Sequence, residues 1–319
     1  MYTKHINILC PDKLTIIHQF VNKQDALEYI DILAPLLTQA NFTKEIDTNQ
    51  FILTGKMGTM RTKVTEDYLM INASPPKNMF GCNYYCSSIK DFKQWVSDIS
   101  DLYNLLLSES NVTSLEFGGN LQVNEEPEKY YSILGESGTY KKEKFGSLYY
   151  VGTNKKIIFY NKVKELKKRS RDKIILNEIK DKYILRIEIR LIKKVAKHLR
   201  REKVQLKDLY NKEFFSQLVF LFRDEYMQIH KNNLLQPTLG TMRCGDGKNY
   251  LLASLIAEKG ANEVNEIVKQ IKPKFTPVEH SRLKAALKNL KYLSEPSPLL
   301  TELDEKISEL INNTLKVNF

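Results

Sequence analysis

The stretch Tyr183-Ile184-Leu185-Arg186-Ile187-Glu188-Ile189-Arg190-Leu191 alternates with a period of two. In a strand this sets Leu185, Ile187, Ile189 and Leu191 on one face and Arg186, Glu188 and Arg190 on the other. A helix would scatter both sets, so the stretch reads as a strand over 183–191 with one apolar and one charged face. The bland interpretation of the charged row is the solvent side of an edge strand carrying a cross-strand salt bridge. Two segments upstream have the same character. Val112–Val123 contains Leu115-Glu116-Phe117-Gly118, where Glu116 opposes its apolar neighbours and Gly118 leaves room for a close backbone approach. Ser147–Tyr160, broken by a turn at Gly152–Lys155, ends in Ile157-Ile158-Phe159-Tyr160-Asn161-Lys162, which sets Tyr160 and Lys162 on one face.

Working outward, Ile6–Leu9 reads as a short strand, and Lys23–Gln39 as an amphipathic helix with Ala26, Leu27, Ile30, Leu33 and Leu37 on one side. Gln50–Lys56 and Met60–Ile71 read as a hairpin, closed by Pro75-Pro76. Lys90–Ser108 reads as a helix whose apolar stripe includes Trp95, a core residue on this reading. A basic helix, Lys164–Arg171, follows Tyr160. After Leu191 the pattern turns helical: Val204–Lys231 as two helices, then Tyr250–Glu258, Pro277–Leu293 and Leu299–Leu315. The fold class is therefore α+β, a mostly antiparallel central sheet flanked by helices with an all-helical C-terminal domain. The expected division is 1–203 and 204–319, with the boundary near Arg201–Leu206. Pro277–Leu293, with Arg282, Lys284, Lys288 and Lys291 among its leucines, reads equally as a DNA-lying helix or as an amphipathic cap on the core.

The chain has 319 residues, 42% of them hydrophobic, enough for a real core without staples. It has no apolar run of membrane-spanning length and no signal-peptide layout at its N-terminus, so a cytoplasmic address, with no membrane partner, is expected. Of Cys10, Cys82, Cys86 and Cys244, only Cys82 and Cys86 are close in sequence, with no partner pair for a zinc site. The net charge of +11 is unevenly placed. Residues 155–203 hold 19 Lys and Arg against 6 Asp and Glu, a net of +13, while the rest holds 30 against 32. Apolar residues threaded through this segment argue against a disordered tail, and a polyanion, nucleic acid first, is the expected partner.

Several chemistries lack their residues. His5, His18, His198, His230 and His280 are too scattered to hold a metal from one element, and there is no phosphate-binding Gly-rich loop and no Gly-x-Ser-x-Gly elbow. The three strands instead offer two carboxylates, Glu116 and Glu188, a tyrosine hydroxyl and several cations. Carboxylates hold hard divalent ions such as Mg²⁺, and a tyrosine can attack a phosphodiester if its ionisation is assisted. That is a kit for phosphoryl transfer on DNA.

The order of motifs also resembles a known family. Ser74-Pro75-Pro76-Lys77 followed by Gly81-Cys82-Asn83 resembles the Ser-Pro-x-Lys and Gly-His-Asn signature of filamentous-phage replication initiators, with Cys82 where the family has His. Leu115-Glu116-Phe117 resembles their acidic-centred strand, with Glu in place of the commoner Asp. Tyr160-Asn161-Lys162-Val163-Lys164-Glu165-Leu166 resembles their Tyr-x-Lys-x-x-Glu-Leu stretch. Leu185–Leu191 resembles the Arg-x-Glu-x-Arg-Leu strand that they share with rolling-circle plasmid initiators.

The resemblance implies an enzyme that nicks one strand at an origin, stays linked to the 5′ phosphate through a tyrosine, and later rejoins the strand. It makes Tyr160 the nucleophile, Lys162, Arg186 and Arg190 its cationic helpers, and Glu116 and Glu188 the ligands of Mg²⁺ or Mn²⁺. It sets Lys77 and Asn83 against DNA, alongside Lys164, Lys167, Lys168, Arg169 and Arg171 of the basic helix. The implied partners are origin DNA, as single strand or supercoiled duplex, with host helicase and polymerase, in the cytoplasm of a bacterial host. Tyr183 is the runner-up nucleophile. Two other classes remain: an origin-binding initiator that recruits helicase without cutting, and an RNA-binding or structural phage protein.

Overall fold

The computed structural model describes residues 2–44, 51–169, 172–232, 261–290 and 297–319. Ten strands form one antiparallel sheet: β1 Cys10–Gln19, β2 Thr38–Lys44, β3 Phe51–Met57, β4 Met60–Val64, β5 Tyr68–Ala73, β6 Asn111–Val123, β7 Lys141–Lys144, β8 Leu148–Val151, β9 Lys155–Asn161 and β10 Tyr183–Leu191. Their order is β2-β3-β4-β5-β1-β6-β10-β9-β8-β7. The described helices are α1 Lys23–Leu33, α2 Pro75–Phe80, α3 Ile89–Tyr103, α4 Pro127–Ile133, α5 Lys162–Arg169, α6 Lys173–Glu178, α7 Val195–His198, α8 Lys212–Met227, α9 Ala261–Ile271, α10 Pro277–Leu290 and α11 Pro298–Asn318. The class is α+β, as the alternation of the strands and the helical periodicity of the flanking segments require.

One face of the sheet carries the main core. Leu14, Ile16, Leu69, Ile71, Phe117 and Ile187 meet residues of α1, α3, α8 and α11 in a single apolar cluster. Trp95 lies within it, 2% exposed. The last helix is tied by polar bonds to the residue before β1 and to the start of α3: the Leu9 amide donates to Thr314 Oγ1 at 2.8 Å, and the Ile89 amide to Asn318 Oδ1 at 2.7 Å.

The strand at 183–191 has the expected bounds, but it is not an edge strand. β10 lies between β6 and β9, and Arg186 and Glu188 are at most 1% exposed. The solvent-side interpretation of its charged row is thereby corrected. The expected strand at Ile6–Leu9 lies instead at Cys10–Gln19. Pairing there shifts register between Pro11 and Lys13, a bulge that breaks the period of two and hides the strand from a pattern search. The single strand expected over Met60–Ile71 is two, because the Thr65 hydroxyl accepts from the amides of Asp67 and Tyr68 and turns the chain. The helix expected to Gln39 ends at Leu33, ahead of a 3₁₀ turn at Ala34–Leu36 that contains Pro35. The helix expected to Ser108 ends at Tyr103, where Asn104 adopts a left-handed conformation (φ 50°). Within Val204–Lys231, a 3₁₀ turn at Leu206–Tyr210 precedes α8. The basic helix begins two residues early, at Lys162. Tyr250–Glu258 lies outside the described residues.

Candidate functional site

The charged row of β10 is roofed on the face away from the main core. Ile184 on β10 packs with Val163 and Leu166 of α5, Ile175 of α6, and Cys82, Tyr84 and Tyr85 of the loop after α2. The αL conformation of Gly81 (φ 76°) ends α2 and turns the chain into this loop. Cys82 faces the apolar cluster, whereas Asn83 reaches the charges beneath.

Four strands bring those charges together. Across the ladder Arg186 pairs with Asn120 and Tyr160, Glu188 with Gly118 and Ile158, and Arg190 with Glu116 and Lys156. Gly118 is required: a Cβ there would lie 2.3 Å from the Ile187 carbonyl oxygen and 3.0 Å from Glu188 Cγ. Any larger residue would push β10 and the Glu188 side chain away. Arg186 Nε donates to Glu188 Oε1 at 2.8 Å, and its Nη1 donates to Asn120 Oδ1 at 3.0 Å. Its Nη2 lies 2.9 Å from Asp12 Oδ2, an ion pair whose angle falls short of a hydrogen bond. Arg190, about a third exposed, donates to Glu188 Oε2 at 2.8 Å and lies 3.5 Å from Glu116 Oε2.

Tyr160 joins this network directly. Its hydroxyl donates to Glu188 Oε1 at 2.6 Å, and the Lys162 ammonium lies 5.8 Å from its ring centre. Lys162 is fully buried and donates to Asn83 Oδ1 at 2.8 Å and Glu165 Oε2 at 2.9 Å. Asn83 Nδ2 in turn donates to Asp12 Oδ2 at 3.3 Å.

Three carboxylates converge: Asp12, Glu116 and Glu188 each present an oxygen, all within 4.8 Å of one another. Asp12 Oδ1 is buried without a hydrogen-bond partner. Hard oxygen donors in this number suit a divalent cation, and an orphaned buried carboxylate oxygen is the kind of group such an ion would satisfy. Arg190 already bridges Glu188 and Glu116, so an ion would share or displace that contact.

The electrostatics are uneven. Burial raises Glu116 to about 7 against the pull of Arg190, with Glu188 and Asp12 adding to the rise. Burial also raises Asp12, opposed by Arg186. Burial opposes ionisation of Glu188 as well, but Arg186 and Arg190 hold its carboxyl well below the usual range. Burial pushes the Tyr160 phenol far up, only partly offset by Arg186, and depresses Lys162. The resting site therefore holds Glu188 ionised and Tyr160 protonated.

The structure brings together all six residues expected to act in catalysis or metal binding: Tyr160, Lys162, Glu116, Arg186, Glu188 and Arg190. Asn83 lies among them, with both ends of its amide engaged inside the protein. Tyr183 belongs to the opposite parity of β10, on the core side, and is 44% exposed at the far end of the strand. Lys77 lies on α2, part-buried. Lys164, Lys167 and Lys168 are exposed on α5, where Lys164 pairs with Glu128 at 2.9 Å. Arg169 ends α5, and Arg171 lies outside the described residues.

Part of the basic excess is thus spent internally, since Lys155 also forms an ion pair with the buried Glu225. Asp12 and Asn120 were missed. Asn120 shares the parity of Glu116 and Gly118 on β6, a signal that was present, whereas strict alternation sets Asp12 with the buried Leu14 and only the bulge turns it toward the site. No protein-family model matches the sequence, and no curated protein matches it.

Proposed function

We propose that the protein nicks and rejoins one strand of DNA at a replication origin by transesterification through Tyr160. The observation that carries this reading is the hydrogen bond from Tyr160 Oη to Glu188 within a cluster of three carboxylates and two arginines. In cleavage the Tyr160 oxygen bonds to phosphorus as the bond from phosphorus to the 3′ oxygen breaks. Glu188, held ionised by Arg186 and Arg190, orients the phenol through its hydrogen bond; the phenolic proton leaves to water and water returns one to the departing 3′ oxygen, so no proton is gained or lost overall. Rejoining reverses the exchange without ATP, because the phosphotyrosine link keeps the energy of the broken bond. A divalent cation, Mg²⁺ or Mn²⁺, held by Asp12, Glu116 and Glu188 would supply electrostatic stabilisation of the charge that builds on the phosphoryl oxygens. Arg190, at the mouth, is the cation best placed to meet a phosphate. Arg186 and Lys162 are buried and act by positioning Glu188, Asp12 and Asn83.

One observation favours a non-cutting, origin-binding initiator: both oxygens of Glu188 are already taken by Arg186, Arg190 and Tyr160, as in a purely structural network. Incubation with Mn²⁺ and supercoiled origin plasmid separates the two. The nicking reading expects an open circle and a protein-linked DNA band, both lost in Tyr160→Phe. No adduct from the wild type, or an undiminished one from the variant, refutes it.

A further inference from the structure

The face that carries the triad continues across β1, β5, β4 and β3, where Lys13 and Arg61 are exposed and Thr15, Asn72, Lys63 and Lys56 part-exposed. Registers align two transverse rows on it. One is Lys13, Glu116, Arg190 and Lys156, on β1, β6, β10 and β9. The next, two residues along the strands, is Ser114, Thr15, Asn72, Arg61 and Lys56, on β6, β1, β5, β4 and β3. With strands about 4.8 Å apart, this second row runs roughly 19 Å from beside the triad toward the sheet edge.

Its chemistry is that of a polyanion track. Strands β3, β4 and β5 contain Lys56, Arg61 and Lys63 and no Asp or Glu. Arg61 and Lys13 are exposed, Lys56 and Lys63 part-exposed, and none of the four is ion-paired with a described carboxylate. Between the cations and the triad, Asn72 Nδ2 and Ser114 Oγ both donate to Thr15 Oγ1, at 2.9 and 2.8 Å. Both acceptor positions of Thr15 are filled, so its own proton is what it offers. Part-exposed Tyr68 lies on the same face, with Ile17 and Met70 beside it, and provides an aromatic surface on which a base can stack.

From this we infer that the open half of the sheet face binds single-stranded nucleic acid and leads its backbone from the β3 side to Tyr160. The inference rests on the nicking reading for the identity of the occupant and for the end of the track, but not for the binding itself. The row lies across the strands of a sheet face, and among the described residues none of its members is on a helix that could enter a duplex groove; its cations lie outside the basic segment at 155–203. The basic excess of the chain therefore does not mark the whole nucleic-acid surface.

The test is binding of a fluorescent single-stranded oligonucleotide to the full chain. The double reversal Lys56→Glu/Arg61→Glu is compared with Lys90→Glu/Lys93→Glu, two exposed positions on α3, which changes net charge equally. The expected result is a loss of about tenfold or more for the first pair only, with the salt slope reduced by about 1.4 for two lost phosphate contacts. Equal affinities for the two pairs overturn the proposal, as does equally tight duplex binding through the same residues. If the reversal lowers the thermal midpoint, Lys56→Gln/Arg61→Gln replaces it and must still weaken binding about threefold. A wild type that binds through this face but forms no adduct sinks the nicking reading and keeps the track. Normal adduct formation by the reversal at limiting DNA does the opposite.

Discussion

The two halves of one sheet face follow the same alternating pattern and end in opposite physical states. On β10 and β9 the polar row is roofed by α5, α6 and the loop at 82–86, and its charges must find one another. On β3, β4 and β5 the polar row meets solvent, and its cations stay unpaired with described carboxylates. The difference teaches that alternation specifies which side chains share a face, while the roof decides whether those charges become a network with shifted ionisation or a surface for a partner.

The sharpest way to break this contrast is to remove the central cation of the roofed half. Arg186→Ala leaves Asp12 and Glu188 buried without their main counter-ion and should cost about 3–5 kcal/mol in urea unfolding. A loss below about 1 kcal/mol would mean that water enters the site and that the roof does not desolvate it.

Glu116 tests the margin between the halves. Its carboxyl is raised to about 7, so its contribution to folding is fully present below its unfolded value near 4.3 and is lost as pH rises toward 7. Glu116→Gln should therefore stabilise the protein at pH 8, by up to about 3 kcal/mol, with the gain gone by about pH 4. Thermal midpoints across this range check the sign, and a pH-independent difference would contradict it.

A smaller effect is expected from the cation itself. Mn²⁺ at about ten times its dissociation constant should stabilise the fold by about 1.4 kcal/mol, growing as pH rises through 7 and Glu116 ionises. Asp12→Asn should remove this gain, and a variant that responds like the wild type would exclude Asp12 from the ligand set. The smallest effect belongs to the open half, where Arg61→Ala should change stability by less than about 0.5 kcal/mol. A larger loss would show that this row is structural as well.

Much of this was legible in the sequence. The period of two placed Glu116, Glu188, Arg186, Arg190 and Tyr160 on polar strand faces, and helical periodicity found α1, α3 and α11, although α1 and α3 end before their expected C-termini and the two helices expected over Val204–Lys231 are one, α8. The strand containing Asp12 was not legible, because a bulge adds one residue to β1 and reverses the parity of everything before it. The burial of Arg186 was not legible either. An alternating charged row reads the same on an edge strand as on a central one, and only strand order distinguishes them.

The sequence by itself determined which residues share a face, because that depends on the chain's own geometry over a few residues. It also determined that the excess charge lies in one segment. Only the tertiary structure decided that three strands far apart in sequence would pool a triad, that α5 and the loop at 82–86 would bury it, and that Arg61 and Lys56 would extend the same face. Pairing and burial are set by contacts between distant segments, and the ionisation of Glu116, Glu188 and Tyr160 follows from that burial.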